Sequence, residues 1–125
     1  MLYIGSGGNL IFVHSSNGTN TFPVDRTEPV PFVAGQRGAI RVTLDVDNGA
    51  SGNTVTFYYA DTIAGPWTQL GDAIISAGTT SIYSSSAPIE IGCCWDSTFG
   101  QIRNKVYAVQ LRNGIGGTAV LNACP

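Results

Sequence analysis

The chain has 125 residues, of which 43% are hydrophobic and only 11% are charged, with a formal net charge of −2 at pH 7. A chain of this length is typical of one domain with a single core. Six Lys and Arg residues against eight Asp and Glu exclude a basic nucleic-acid-binding surface of ordinary density. Sixteen glycines and six prolines exclude a helical bundle, because both residues interrupt helices. We therefore expect residues 1–125 to form one non-helical domain.

The first third of the chain predicts a hairpin followed by an irregular edge. Residues 2–4 and 10–13 flank a glycine-rich turn, which favours two paired strands. Residues 21–36 carry three of the six prolines. Proline has no amide donor for a strand ladder, so Pro29 and Pro31 place this stretch at a sheet edge or in an irregular crossing.

The middle of the chain carries the clearest strand signal. Residues 40–46 and 54–60 alternate apolar and polar side chains, and the turn-forming run 47–53 separates them, which predicts a hairpin with a long loop. Further short strands are expected at residues 67–71, 74–75, 81–84, 87–92, 101–112 and 118–123. In the 87–92 segment, Ile89 and Ile91 are expected to point inward.

These elements together predict an all-β fold. Roughly eight to ten short strands separated by frequent turns are typical of an antiparallel two-sheet β-sandwich, or jelly roll. We find no internal repeat of the length that a solenoid or propeller needs, and no linker that divides the chain.

Six segments carry a resemblance to a known group of proteins: residues 38–49, 53–59, 65–71, 79–83, 87–92 and 105–115. In this order they resemble the concanavalin A-like, laminin G-type jelly rolls in virion proteins of actinobacterial tailed phages. The resemblance extends from Leu10 to Ala123 and is strongest over residues 38–123. It implies a two-sheet sandwich on a phage particle, as a capsid decoration or as a tail or fibre component.

The resemblance also implies a function. We expect a non-enzymatic structural or adhesion module that works by contact with other virion proteins. The alternative is a lectin-like module that binds host-surface glycans. Domains of that group are commonly longer, so we expect a homo-oligomer or another virion protein to cover the open sheet edges.

The sequence shows no secretory or membrane-spanning signal, which agrees with a virion protein. The start of the chain has neither the cationic nor the apolar region of a secretory signal. No apolar run reaches the length of a membrane span, so membrane insertion is not expected. We expect the protein to be made in the host cytoplasm and to reside in the virion.

The candidate glycan-binding residues are Trp95, Asp96 and Tyr58. An exposed aromatic ring stacks on the apolar face of a sugar, and Trp95 is predicted at a loop edge with the polar Asp96 beside it. Tyr59 and Trp67 are instead expected in the core, where large aromatic rings are usually buried.

No cofactor is expected, although three carboxylates are weak calcium candidates. Calcium takes six to eight oxygen ligands, and Asp45, Asp47 and Asp61 are predicted near one rim of the fold. The simpler interpretation is that these residues are solvated turn and strand positions.

The three cysteines leave the pairing open. Cys93 and Cys94 are adjacent, and neighbouring strand residues face opposite sides, so they do not bridge each other without strain. Either residue is a possible partner of Cys124, and at least one thiol stays free or pairs between chains.

The sequence indicates no enzyme. His14 is the single histidine, and no serine or cysteine can be placed beside it from the sequence. No pattern brings two carboxylates together at the spacing that a glycosidase needs.

Overall fold

The computed structural model describes residues 1–92 and 105–123, and these residues contain nine strands and no helix. Every described strand pair is antiparallel. The predicted all-β, antiparallel class is therefore confirmed. The chain divides into two compact units, Met1–Ser84 and Ser85–Pro125. No membrane-crossing helix occurs in the described ranges.

The first unit contains two sheets. The first sheet has the order β1-β2-β3, and its strands are β1 (Leu2–Ile4), β2 (Asn9–His14) and β3 (Phe22–Pro29). The second sheet has the order β4-β5-β6 with β7 also paired to β5, and its strands are β4 (Ala39–Asp45), β5 (Gly52–Ala60), β6 (Thr68–Gln69) and β7 (Ile74–Ala77). The predicted hairpins β1–β2 and β4–β5 are both present.

The proline-rich stretch takes one of its two predicted places, the edge of a sheet. Strand β3 lies at the edge of the first sheet and ends at Pro29, which lies opposite Asn9 of β2. A register shift precedes this pair, between Asn9 and Ile11. An edge position tolerates Pro23 and Pro29 because the outer side of the strand needs no amide donor.

The long loop between β4 and β5 is held by one asparagine. Asn48 Oδ1 accepts hydrogen bonds from the amides of Ala50 (3.0 Å) and Gly52 (3.2 Å). Its Nδ2 donates to Thr54 Oγ1 at 3.2 Å. These bonds fix the turn, and the register then runs without a shift from the Asp45–Thr54 pair to the far end of the hairpin.

Strand β5 lies at the centre of the second sheet. It pairs with β4 on one side and with both β6 and β7 on the other. Its side chains alternate as the sequence predicts, and Val55 and Phe57 are each only 1% exposed. These two residues form one buried cluster with Leu70 and with Leu10 of the first sheet. The core of the first unit therefore draws side chains from both sheets.

A buried arginine connects strand β3 to the β6–β7 connection. The Nη1 atom of Arg26 donates to the carbonyl oxygen of Asp72 at 2.6 Å, and its Nη2 pairs with the carboxylate of Glu28. Gly71 makes room for this guanidinium, since a Cβ atom there would lie 1.9 Å from Nη2. Its φ of 62° also favours glycine.

The second unit contains one described hairpin, β8 (Val109–Arg112) paired with β9 (Ala119–Ala123). Val109 and Leu111 lie on one face, as predicted, while Gln110 and the opposing Asn122 lie on the other. None of the described residues of this unit is buried, and Leu111 is 50% exposed.

Three predicted strands differ from the structure. Residues 81–84 and 87–92 form no strand. The predicted strand at 101–112 is shorter in the described residues, where it covers Val109–Arg112. Residues 101–104 lie outside the described part. Ile89 and Ile91 are exposed, at 64% and 44%, rather than inward-facing. Alternation alone was misleading in the 87–92 segment, because no strand among the described residues pairs with it.

The core cluster predicts a large stability difference between buried and exposed positions. We expect Phe57→Ala to lower the free energy of unfolding by about 3–5 kcal/mol, through lost burial and the cavity left behind. Val33→Ala is the control, because Val33 is 73% exposed, and it should change stability by less than about 0.5 kcal/mol. Urea denaturation followed by circular dichroism measures both. Equal effects of the two substitutions would contradict the assigned core.

The Arg26 contact predicts that two glycine-to-alanine substitutions differ in their effect on stability. Gly71→Ala and Gly35→Ala both introduce Cβ at a positive φ, but only Gly71 faces another side chain. We expect Gly71→Ala to be less stable than Gly35→Ala by roughly 1.5–3 kcal/mol, because Arg26 must leave the carbonyl of Asp72. Thermal and urea unfolding of both variants test this difference. Similar losses would show that the Arg26 contact contributes nothing.

Candidate functional site

Two of the predicted glycan-binding residues, Trp95 and Asp96, lie outside the described residues. The same holds for Cys93, Cys94 and Cys124. The third candidate, Tyr58, lies on β5 opposite Arg41 of β4.

The ring of Tyr58 is covered by a cation. The guanidinium carbon of Arg41 lies 4.1 Å from the centroid of Tyr58 and 4.7 Å from that of Trp67. Trp67 therefore contacts Arg41 rather than joining the buried cluster, which corrects the expectation of a core position. Tyr59 does pack against that cluster, as expected. The Arg41 guanidinium therefore occupies one face of the Tyr58 ring.

The calcium candidates lie at two different ends of one hairpin. Asp45 pairs with Thr54 at the turn end of β4–β5, whereas Asp61 follows Ala60 at the opposite end. The register therefore does not bring Asp61 to the rim that holds Asp45 and Asp47. The carboxylates of Asp45 and Asp47 accept backbone amide hydrogen bonds from Asp47 (3.3 Å) and Gly49 (3.1 Å). Residues 1–92 and 105–123 contain no group of three acidic, His or Cys side chains placed to hold a metal ion.

A cleft of about 660 Å³ lies in the first unit, where ends of both sheets meet. Its walls come from the end of β2, the start of β3, the start of β5, the end of β7 and two connecting segments. The lining residues are His14, Ser16, Thr21, Phe22, Pro23, Val24, Asn53, Ser76, Ala77, Thr79, Thr80 and Ser81. Small-molecule sites commonly have volumes of roughly 300–1,000 Å³. The cleft is thus large enough for a small organic ligand.

His14 is held in the cleft wall by two aromatic rings. Its ring stacks on Phe12 with 5.5 Å between centroids, and Phe22 lies at the same distance in a tilted arrangement. Its Nε2 lies 3.4 Å from Thr80 Oγ1, and its buried Nδ1 has no hydrogen-bond partner among the described residues. A buried nitrogen without a partner costs free energy, so His14 contributes less to stability than a fully paired imidazole would.

Burial and a neighbouring charge both disfavour the protonated form of His14. Burial lowers its pKa below the usual 6.5, and the ammonium group of Met1 lowers the pKa further. That ammonium group donates a hydrogen bond to the carbonyl of Val13 at 2.6 Å, next to His14 in the chain. The imidazole is therefore neutral at pH 7 and offers one donor and one acceptor.

Hydrogen bonds between distant segments fix the far rim of the cleft. Asn53 Nδ2 donates to the carbonyl of Gly78 at 2.8 Å. This bond fixes Gly78, the residue that follows β7, against β5. The amide of Thr80 donates to the carbonyl of Val46 at 2.9 Å. Beyond it, the amide of Tyr83 donates to the carbonyl of Ser15 at 2.7 Å. The 78–83 segment is thus positioned before any ligand arrives.

The chemistry of the cleft is neutral and rich in hydroxyl groups. Its described lining includes six Ser and Thr side chains, one amide and one imidazole, but no carboxylate, ammonium or guanidinium group. Five of the hydroxyl residues make no side-chain hydrogen bond to other described residues: Ser16, Thr21, Ser76, Thr79 and Ser81. This arrangement is suited to binding an uncharged polar molecule.

Sequence reasoning missed this cleft. It considered His14 only as a candidate catalytic residue. The available signal was the repetition of Ser and Thr in two segments, one of them followed directly by Phe22. That signal does not show that the two segments meet.

No family model, no curated protein and no solved structure matches this chain.

The lowered pKa of His14 predicts a pH-dependent stability. The unfolded chain binds a proton near pH 6.5 and the folded chain only at lower pH, so stability decreases as the pH falls through this range. We expect the wild-type protein to lose more free energy of unfolding than His14→Gln between about pH 7.5 and pH 5.5. Urea unfolding at both pH values measures this difference.

Glu28 does not account for such a loss. A backbone hydrogen bond and then the Arg26 side chain lower the pKa of Glu28 from 4.5, so its contribution is lost only in more acidic solution. Identical pH profiles for the wild-type protein and His14→Gln would contradict the assigned environment of His14.

Proposed function

We propose that this chain is a non-enzymatic contact module of a phage virion, which assembles with copies of itself or with other virion proteins. The sequence resemblance to virion jelly rolls supports the location. The observation that carries the contact function is the β8–β9 hairpin, whose apolar face has no buried residue in the described part of the second unit.

A two-stranded hairpin is marginally stable unless its apolar face is covered. Val109, Leu111 and Leu121 share one face, and Leu111 is half exposed. An interface with another chain removes this face from water. The low fraction of charged residues favours such an interface, because little electrostatic repulsion opposes close approach of identical surfaces.

The first unit supports the same proposal because β4 is an edge strand of its second sheet. Strand β4 has seven residues and pairs with β5 on one side, and no other described strand pairs with it. Unpaired edges bind further strands readily. Because one core draws side chains from both sheets, we include in the proposal that these sheets form a small β-sandwich.

The hairpin face gives a direct test of assembly. We expect the wild-type chain to form an oligomer in reducing buffer, and Leu111→Ser to shift it towards monomer. Asn122→Ser is the matched control, because Asn122 lies on the opposite face of the same hairpin. Light scattering coupled to size-exclusion chromatography, at several protein concentrations, measures the mass of each variant.

A wild-type chain that stays monomeric at every concentration would overturn self-assembly. An equal shift in Leu111→Ser and Asn122→Ser would show that the apolar face is not the interface. The virion location is tested separately by mass spectrometry of particles purified on a density gradient. Peptides of this chain should sediment with the particles, and their confinement to the soluble fraction would contradict that location.

A further inference from the structure

We propose that Asn113 is a site of spontaneous deamidation, at which the Gly114 amide nitrogen displaces ammonia and water then yields aspartate or isoaspartate. The sequence contains three Asn-Gly pairs, at residues 17–18, 48–49 and 113–114. Glycine after asparagine favours this reaction, because no Cβ atom hinders the approach of the backbone nitrogen. The hydrogen bonds of the folded chain restrain the first two pairs and leave the third unrestrained.

The reaction is a ring closure within the backbone, with water as its one co-reactant. The nitrogen of Gly114 loses its proton and bonds to Cγ of Asn113, while the bond from Cγ to Nδ2 breaks and ammonia leaves. Water then opens the five-membered imide. Cleavage at Cγ gives aspartate, whereas cleavage at the backbone carbonyl carbon gives isoaspartate, whose chain runs through Cβ and Cγ. Nothing is oxidised or reduced.

The pair at residues 48–49 is restrained at both reacting groups. The side chain of Asn48 makes three hydrogen bonds within its loop, and these oppose rotation of Cγ towards the next amide. The attacking amide of Gly49 donates to Asp47 Oδ1 at 3.1 Å. Ring closure therefore requires both groups to be released, and the negative charge of Asp47 also disfavours loss of the amide proton.

The pair at residues 17–18 is restrained in a similar way, although its loop is exposed. Asn17 Oδ1 accepts hydrogen bonds from the amides of Thr19 (2.9 Å) and Asn20 (2.8 Å). The amide of Gly18 donates to Ser15 Oγ at 2.9 Å. Both reacting groups are again engaged in hydrogen bonds that must break first.

The pair at residues 113–114 has neither restraint. Both residues are exposed in the turn between β8 and β9. Within residues 1–92 and 105–123, the Asn113 side chain makes no hydrogen bond and the Gly114 amide has no acceptor. The backbone amide of Asn113 donates to the carbonyl of Thr118 at 3.0 Å, which closes the turn without holding the Asn113 side chain.

Each conversion changes the turn of the hairpin. The new carboxylate adds one negative charge next to Arg112, whose Nη1 donates to the carbonyl of Gly117 at 2.8 Å. The isoaspartate product also adds one backbone carbon before Gly114, which lengthens the connection between β8 and β9. The modification thus acts on the turn, and its chemistry does not depend on the proposed contact function.

The test is incubation of the full chain in mildly alkaline buffer, followed by proteolytic digestion and mass spectrometry of the three Asn-Gly peptides. Digestion in heavy-oxygen water marks any conversion that occurs during the digest. We expect Asn113 to convert at least about tenfold faster than Asn17 and Asn48, because each of these must first break two or more hydrogen bonds. The products at residue 113 should include isoaspartate.

The unfolded chain and one variant are the controls. In concentrated urea the three pairs should convert at similar rates, because each is an Asn-Gly pair without its folded hydrogen bonds. Ser15→Ala removes the acceptor of the Gly18 amide. It should raise the folded-state rate at Asn17 by about fivefold and leave the rate at Asn113 unchanged.

Equal rates at the three pairs of the folded chain, or fastest conversion at Asn17 or Asn48, would overturn the proposal. So would an Asn113 that stays intact in the folded chain while it converts in urea. A Ser15→Ala variant that changes no rate, or that changes the rate at Asn113 as much as at Asn17, would contradict protection by hydrogen bonds. These rates are read from peptides, so their failure leaves the light-scattering test of the hairpin interface unaffected.

Discussion

The first unit depends on the burial of one face of strand β5. Val55 and Phe57 point into the cluster that Leu10 enters from the first sheet, and the backbone of β5 binds three other strands. Burial of a Phe or Leu side chain contributes about 1.5–3 kcal/mol, so this small cluster is a large part of what holds the sheets together. Loss of β5 would leave β4, β6 and β7 without any described strand partner.

Polar contacts then position the connections between strands. Arg26 connects β3 to the carbonyl of Asp72, and Asn53 connects β5 to the carbonyl of Gly78. Both side chains are buried, and each reaches a carbonyl that the strand ladders do not use. The same contacts that satisfy buried polar groups therefore position the connections between strands, including the rim of the cleft.

The molecule presents two kinds of surface for recognition. The cleft of the first unit is neutral, rich in hydroxyl groups and fixed by long-range hydrogen bonds. The hairpin of the second unit presents an apolar face with no buried residue in its described part. In the proposed function, the second surface is the one that contacts another protein. Neither depends on attraction between charges, in accord with a chain that has few of them.

The sequence by itself determined the all-β class, the β1–β2 and β4–β5 hairpins and the exclusion of Pro29 from a central strand, because alternation, turn residues and proline act over a few neighbouring positions. It also predicted the core position of Tyr59. It misassigned residues 87–92, where alternation was not matched by a pairing strand among the described residues.

Only the tertiary structure decided which distant segments meet. The β4–β5 register separated Asp61 from Asp45, and the cation Arg41 engaged Trp67 and Tyr58 on one sheet face. The cleft joins His14 to the 76–81 segment, more than sixty residues away in the chain. Such encounters depend on strand pairing and on packing between sheets, and the local pattern of side chains carries no information about either.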